Sequence, residues 1–100
     1  MSKVILKGYI LVSDIDLEIV KTELIVHCKL TKEEPGCLLF EVIPDANNPN
    51  LFSVYEEFVD QAAFDNHQTR VNNSNWGKVT KQVKRHYQII NGIQNIQQTN

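Results

Sequence analysis

The stretch "EEPGCLLFEVIPDANNPNLFSVYEEFVD", residues 33–60, decides the fold of this chain. Two apolar runs, residues 37–43 and 51–59, flank a polar link that is rich in asparagine and proline. Runs of this length and composition predict β-strands, and the turn-prone link predicts that the two strands form an antiparallel hairpin. Pro35 and Gly36, which precede the first run, mark the end of a helix.

The segment before the hairpin predicts a strand and a helix. Residues 4–12, "VILKGYILV", are rich in β-branched and aromatic residues and predict the strand, in which Gly8 indicates a bulge or a close approach by another group. The helix is expected to run from about residue 15 to 32, with Ser13 or Asp14 as its cap. Its predicted apolar stripe, at helical spacing, consists of Leu17, Val20, Leu24, Ile25 and Cys28.

The segment after the hairpin predicts a second, interrupted helix and a last strand. Asp60 can cap the helix, in which Phe64, His67 and Val71 share one face. The sequence "NNSN", residues 72–75, interrupts this helix, and a further helical turn or two follows from Trp76. Residues 85–90, "RHYQII", predict the fourth strand.

The predicted order of elements defines the fold class. Strand, helix, strand, strand, helix, strand is the split βαβ, or ferredoxin-like, arrangement of an α+β protein, with an antiparallel sheet and both helices on one face. Side chains on both sides of the strand at 37–43 are largely apolar, so we expect both sheet faces to be buried. A chain of 100 residues has nothing left to cover the second face, which predicts a homodimer with sheet against sheet. We expect one domain over residues 1–92 and a polar C-terminal tail over 93–100.

Charge is distributed unevenly along the chain. Residues 1–65 hold all twelve acidic residues and five lysines, a net charge of −7, whereas residues 66–100 hold five basic residues and no acidic one, a net charge of +5. The basic part has three candidate partners. They are the acidic part of the same chain or of another subunit, a negatively charged small molecule, and nucleic acid. Because aromatic interleaving and nucleic-acid motifs are missing from the sequence, we expect no nucleic-acid partner.

The sequence also bears on compartment and cofactors. Cys28 and Cys37 do not form a disulfide framework, and the histidine and cysteine spacings do not match a metal site. The N-terminal apolar run is too short to span a membrane and lacks a cleavage site, so we expect a cytoplasmic protein with no membrane partner. No motif for a redox cofactor is present, and we expect none to be bound.

Three segments of the chain share the pattern of one protein family. Residues 34–41 read E-P-G-C-L-x-F-E, residues 52–60 read F-x-x-Y-E-x-F-x-D, and residues 63–67 read A-x-x-x-H. Together they resemble the antibiotic biosynthesis monooxygenase domain family. The resemblance implies a dimeric α+β barrel that is built from two ferredoxin-like subunits.

The resemblance implies several possible reactions. Some members of the family oxidise polycyclic phenols or quinols with dioxygen and no cofactor, some relatives degrade haem, and others isomerise small phosphorylated metabolites. The favoured hypothesis is a cofactor-independent monooxygenase that oxidises a quinol-like or polyphenolic small molecule with dioxygen. The alternatives are an isomerase of a small phosphorylated carbonyl metabolite and a dimer that binds a ligand without turnover. Val71 and Asn72 stand where many members carry a proline and a second histidine, which disfavours any mechanism that needs two histidines there.

His67 is the leading catalytic candidate, because an imidazole can exchange a proton near neutral pH and this one shares the apolar face with Phe64. Tyr55 is the second candidate, since its hydroxyl could orient a substrate oxygen. A hydrogen-bonded core histidine and a packed aromatic are the structural alternatives. Glu41 and Glu56 are expected to form ion pairs with lysine or arginine. The predicted substrate-binding residues are Tyr9, Phe40, Phe64, Asn72 and Trp76.

Overall fold

A single antiparallel sheet carries the helices of this protein. The computed structural model describes residues 2–91 and the backbone of residues 94–99. The elements are β1 (Val4–Leu11), α1 (Leu17–Lys32), β2 (Cys37–Pro44), β3 (Leu51–Phe58), α2 (Gln61–Asn72), α3 (Asn75–Val79), β4 (Lys84–Asn91) and β5 (Gln94–Thr99). The strands lie in the order β2-β3-β1-β4-β5. The first four strands have the ferredoxin-like order, so the predicted α+β fold is confirmed.

The core lies between the helices and one face of the sheet. Side chains alternate along β1 and β3, and the helix-facing set is almost fully buried. Val20 of α1 and Phe64 of α2 join the same apolar cluster, so both helices cover the same face, as predicted. The strand residues in this cluster are Val4, Leu6, Ile10, Phe52, Val54, Phe58 and Ile89.

Gly8 allows β1 and β4 to approach each other closely. Its φ is +156°, and a Cβ atom at this position would lie 1.8 Å from the carbonyl oxygen of His86. A side chain cannot be accommodated at that distance, so glycine is required here. The close approach by another group that the sequence predicted is therefore confirmed.

Side-chain caps define the interrupted helix after the hairpin. The Asp60 side chain accepts a hydrogen bond from the Ala63 amide at 2.9 Å, as expected for the cap of α2. α2 ends at Asn72, and Ser74 caps α3 by accepting from the Gly77 amide. The start of α1 was predicted wrongly, because its N-cap is Asp16, which makes no side-chain cap hydrogen bond.

The predicted apolar stripe of α1 is confirmed in part, since Leu17, Val20 and Leu24 pack in or against the core. Ile25 is 74% exposed, so its assignment to the apolar stripe is wrong. The buried residues of α1 are Val20, His27 and Thr31. The helix is oriented by polar contacts with α2 and α3, since Thr31 accepts a hydrogen bond from Arg70 and His27 stacks on Trp76. A stripe counted from apolar residues alone does not include such contacts.

The sheet face opposite the helices carries exposed apolar side chains. Tyr9, Leu11, Leu39 and Ile43 are all exposed in the single chain. The predicted burial of this face therefore depends on a second copy of the chain, and the homodimer stays a prediction.

The C-terminal segment extends the sheet. β5 pairs antiparallel with β4, in a register that places Ile96 opposite Ile89. The predicted boundary between domain and tail, at residues 92 and 93, lies outside the described residues. Within the described part of the chain, none of the helices has the length and hydropathy that a membrane span requires.

Candidate functional site

α2 places His67 in the interior, between the helices and the sheet. The residue is only 3% exposed. Its ring centroid lies 4.9 Å from that of Phe58 and 6.2 Å from that of Phe40. An imidazole in such apolar surroundings needs polar partners for its two ring nitrogens.

Two carboxyl groups flank the His67 ring. Nδ1 lies 3.1 Å from Oε2 of Glu34, and Nε2 lies 3.7 Å from Oε1 of Glu56. Arg70 donates from Nε to Oε2 of Glu34 at 2.6 Å, which orients that carboxylate. The Glu34 carboxylate accepts from Nδ1–H, so the proton of neutral His67 resides on Nδ1 and Nε2 carries the lone pair.

Burial adjusts the protonation of this cluster. It lowers the pKa of His67, although the neighbouring Glu34 carboxylate opposes the change. Burial, with a smaller contribution from the charge of Glu34, raises the pKa of Glu56 to about 8. At neutral pH, therefore, His67 is a neutral base and Glu56 is a protonated acid. A carboxyl group that is protonated at neutral pH can act as a general acid, and a neutral imidazole can act as a general base.

A second buried histidine, His27 of α1, lies beside His67. Their ring centroids are 5.8 Å apart, and the His27 ring stacks on Trp76 at 4.7 Å with an interplanar angle of 4°. Burial first, and repulsion from Arg70 and from His67 in its protonated form second, lower the pKa of His27 to about 3, so its ring is neutral. Among residues 2–91, its Nδ1 atom has no hydrogen-bond partner.

Two cavities meet at the stacked pair of His27 and Trp76. One has a volume of about 60 Å³ and borders on Glu56 and His67. The other has a volume of about 250 Å³ and lies between α1 and α3. His27 and Trp76 line both, so the outer pocket and the His67 cavity lie against the same two residues.

A third and larger concavity, of about 690 Å³, lies on the opposite face of the sheet and contains Tyr9 and Tyr55. The Tyr55 hydroxyl donates to Oε2 of Glu57 at 2.7 Å, and Tyr9 stacks on His86. The sheet separates both tyrosines from His67. The structure therefore does not bring the two predicted catalytic residues together.

Of the other predicted site residues, some lie next to His67 and others do not. Phe40 and Trp76 lie at His67, where the Phe40 ring also contacts His27 edge-on. Phe64 packs edge-on against Phe58 in the core, and Asn72 is exposed at the end of α2. The expected lysine or arginine partner of Glu56 was wrong, since among the described residues it is His67 that lies within ion-pair distance of this carboxyl group.

Sequence reasoning gave no functional role to His27, Glu34 or Arg70. Glu34 and Arg70 are 36 residues apart, and the sequence offers no sign of their contact. His27 could have been found, because His27 and Thr31 continue the helical spacing that begins at the buried Val20. Glu56 could also have been found, because its carboxyl group stands among the apolar residues that alternate along β3.

Comparisons with known proteins agree with the fold. The sequence profile of the family described as "Antibiotic biosynthesis monooxygenase" matches residues 25–76 of the chain. That region contains His27, Glu34, Glu56, His67 and Trp76. No curated protein matches the chain.

Three solved structures that carry the name "putative antibiotic biosynthesis monooxygenase" are similar to the chain. The protein from Nitrosomonas europaea is 16% identical with a TM-score of 0.70, and the match covers 99% of this chain and 88% of that one. The protein from Bacteroides thetaiotaomicron is 21% identical, with a TM-score of 0.74 and coverage of 96% and 91%. The protein from Deinococcus radiodurans is 22% identical, with a TM-score of 0.65 and coverage of 88% of both chains. At these identities the similarity demonstrates a common fold.

Proposed function

The chain belongs to the antibiotic biosynthesis monooxygenase family, and from that premise we propose that it is a monooxygenase of a small quinol-like or polyphenolic substrate. The observation that carries the proposal is the buried pair of His67 and Glu56, a neutral base and a protonated acid beside one cavity. A reaction that removes a proton from one atom and delivers a proton to another can use a base and an acid of this kind.

Aromatic side chains at the site favour a flat aromatic substrate, since Trp76 and Tyr87 line the His67 cavity. Phe40, Phe58 and Trp76 surround the two buried histidines with aromatic faces and edges. Such surfaces pack well against planar rings and exclude water from a reactive anion. The substrate itself would supply the electrons, so the proposal requires dioxygen as the only co-reactant.

In the proposed reaction, Nε2 of His67 takes the acidic proton of a ring carbon that is CH₂ in the keto form of the substrate. The resulting anion transfers an electron to dioxygen, and the two radicals combine to form a carbon–oxygen bond. Protonated Glu56 gives a proton to the peroxide. Loss of the second C–H proton and cleavage of the O–O bond then release water. One oxygen atom ends in the new carbonyl and the other in water, so four electrons leave the carbon and reduce dioxygen.

Oxygen uptake with a panel of quinols tests this function. We expect uptake by the wild type to exceed autoxidation, and His67→Gln to reduce the enzymatic rate by about 100-fold, the lower range for loss of a general base. His86→Gln is the matched control, because that histidine lies on the opposite face of the sheet. Uptake equal to autoxidation for the wild type across the panel would contradict the proposal.

An isomerase of a small phosphorylated carbonyl compound is the second candidate. It would use the same base and acid, and the observation in its favour is that Arg85 lines the His67 cavity, where a guanidinium can bind an anionic group. An isomerase turns over without dioxygen. Product formation in an anaerobic assay would therefore support this candidate over the monooxygenase.

We also propose that the chain acts as a homodimer through the sheet face that carries Tyr9, Leu11, Leu39 and Ile43. Exposed apolar side chains grouped on one face favour association. Sedimentation equilibrium of the wild type and of Ile43→Glu tests this proposal. We expect a dimer for the first and a monomer for the second, and a monomeric wild type would contradict it.

A further inference from the structure

The pocket between α1 and α3, which the proposed reaction does not use directly, has the features of a ligand site. Its volume of about 250 Å³ is slightly below the range of about 300–1,000 Å³ for pockets that hold drug-sized ligands. Val26 and Leu30 of α1 supply apolar surface, and Trp76 supplies an aromatic one. A pocket of this size and lining suits one planar ring system.

Arg70 provides a cation in the wall of this pocket. Its Nε atom donates to Glu34 and one terminal nitrogen, Nη2, donates to Thr31, so the guanidinium is held in a fixed orientation. The other terminal nitrogen, Nη1, is buried and has no acceptor within residues 2–91. A buried donor without an acceptor is unfavourable, and an anionic oxygen from a ligand would satisfy it.

His27 provides a second polar group without a partner. It lines the pocket, it is 4% exposed, and its Nδ1 makes no hydrogen bond within residues 2–91. His27 and Trp76 also line the His67 cavity. A ligand in the pocket therefore meets an aromatic surface, an imidazole and a guanidinium, and two of these groups are shared with the His67 cavity.

Glu23 lies on the same lining and limits the charge of the ligand. Its carboxylate repels a dianion such as a phosphate monoester more strongly than a monoanion. Arg70 and Glu23 together favour a ligand with a single negative charge that lies beside Arg70.

We propose that the pocket between α1 and α3 binds a small planar aromatic monoanion, with its ring against Trp76 and its anionic oxygen on Arg70. A carboxylate and an ionised enol share this chemistry. The inference rests on the proposed function, because a deprotonated aromatic substrate is an anion of this kind and the pocket shares His27 and Trp76 with the His67 cavity. Binding itself requires no turnover, so it can be tested separately.

Fluorescence of Trp76, the single tryptophan of the chain, reports on this pocket. Benzoate is the probe, benzamide keeps the ring without the charge, and cyclohexanecarboxylate keeps the charge without the aromatic ring. We expect saturable quenching by benzoate, with affinities for the other two compounds that are weaker by about tenfold or more. Benzamide affinity equal to that of benzoate, or the absence of saturable quenching by benzoate, would overturn the proposal.

Two variants of neighbouring residues locate the binding. Val26→Phe fills the pocket from its half-exposed rim, whereas Ile25→Phe makes the same change on the solvent side of α1. We expect the first to weaken benzoate by about tenfold and the second to leave it unchanged. Arg70→Lys keeps the positive charge but loses the planar guanidinium group, so it should also weaken the binding of benzoate. If Val26→Phe binds benzoate as the wild type does, the proposed location is wrong.

The two proposals fail in different ways. Selective benzoate binding without oxygen uptake would retain the anion site and reject the monooxygenase. Oxygen uptake without benzoate binding would support the monooxygenase function and reject the pocket as its anion site. Oxygen uptake together with benzoate binding that Val26→Phe does not weaken would lead to the same conclusion.

Discussion

Glu56→Gln isolates the most unusual ionisation in the protein. The Glu56 side chain lies between Val54 and Phe58 on the helix-facing side of β3, where it is buried. Burial first, and the neighbouring Glu34 carboxylate second, raise its pKa from an ordinary 4.5 to about 8. Glutamine keeps the shape of the side chain and removes its ionisation.

The sign and size of the effect follow from proton linkage. Between pH 4.5 and about 8 the folded protein holds a proton on Glu56 that the unfolded chain has lost. The contribution of Glu56 to stability is thus fully present below 4.5 and is lost as the pH rises through 8. The loss is about 1.4 kcal/mol per pH unit, up to about 5 kcal/mol in total. Relative to wild type, Glu56→Gln should therefore gain stability steadily as the pH rises.

Urea unfolding at several pH values between 5 and 8, followed by far-UV circular dichroism at one protein concentration, measures this difference. Glu57→Gln is the control, because Glu57 lies on the other face of β3 and hydrogen bonding from Tyr55 lowers its pKa. Glu57 stays ionised over this range, so its replacement should give no gain with pH. A stability difference for Glu56→Gln that is flat or falls with pH would show that Glu56 is not protonated in the folded protein over this range.

Three further substitutions test other parts of the structure. His27→Phe should reduce acid sensitivity, because burial lowers the His27 pKa to about 3 and its contribution to stability is lost as the pH falls below 6.5; unfolding free energies from pH 7 to 4.5 check this. Gly8→Ala should destabilise by about 2–4 kcal/mol, measured by urea unfolding, since its Cβ would collide with the His86 carbonyl. Asp60→Ala should lower the free energy of unfolding by about 1 kcal/mol, through loss of the cap bond to Ala63, whereas Asp60→Asn should retain most of it.

The fold was largely predictable because local signals agreed with each other. The strand alternation, the turn-prone link after residue 43 and the cap at Asp60 each favour one element, and their order leaves one common arrangement. On α1, apolar spacing predicted the core positions of Leu17, Val20 and Leu24 but not the polar part of the buried face. That part is set by contacts of Thr31 with Arg70 and of His27 with Trp76, which join residues that are distant in sequence.

The candidate site was predictable in part. His67 was identified because it shares an apolar helical face with Phe64, and both are buried. Tyr55 was grouped with His67 although the alternation of β3 assigns it to the face opposite Glu56. The carboxylate and guanidinium around His67 could not be predicted, because Glu34 lies in a turn after α1 and no sequence period relates it to Arg70.

Turnover of a quinol under ¹⁸O₂, with mass analysis of the product, decides whether this protein is a monooxygenase. We expect wild-type protein to place one labelled oxygen atom in the product carbonyl, with the second in water, and His67→Gln to form product only at the autoxidation rate. Product that forms at the enzymatic rate without the label would show that the protein is not a monooxygenase.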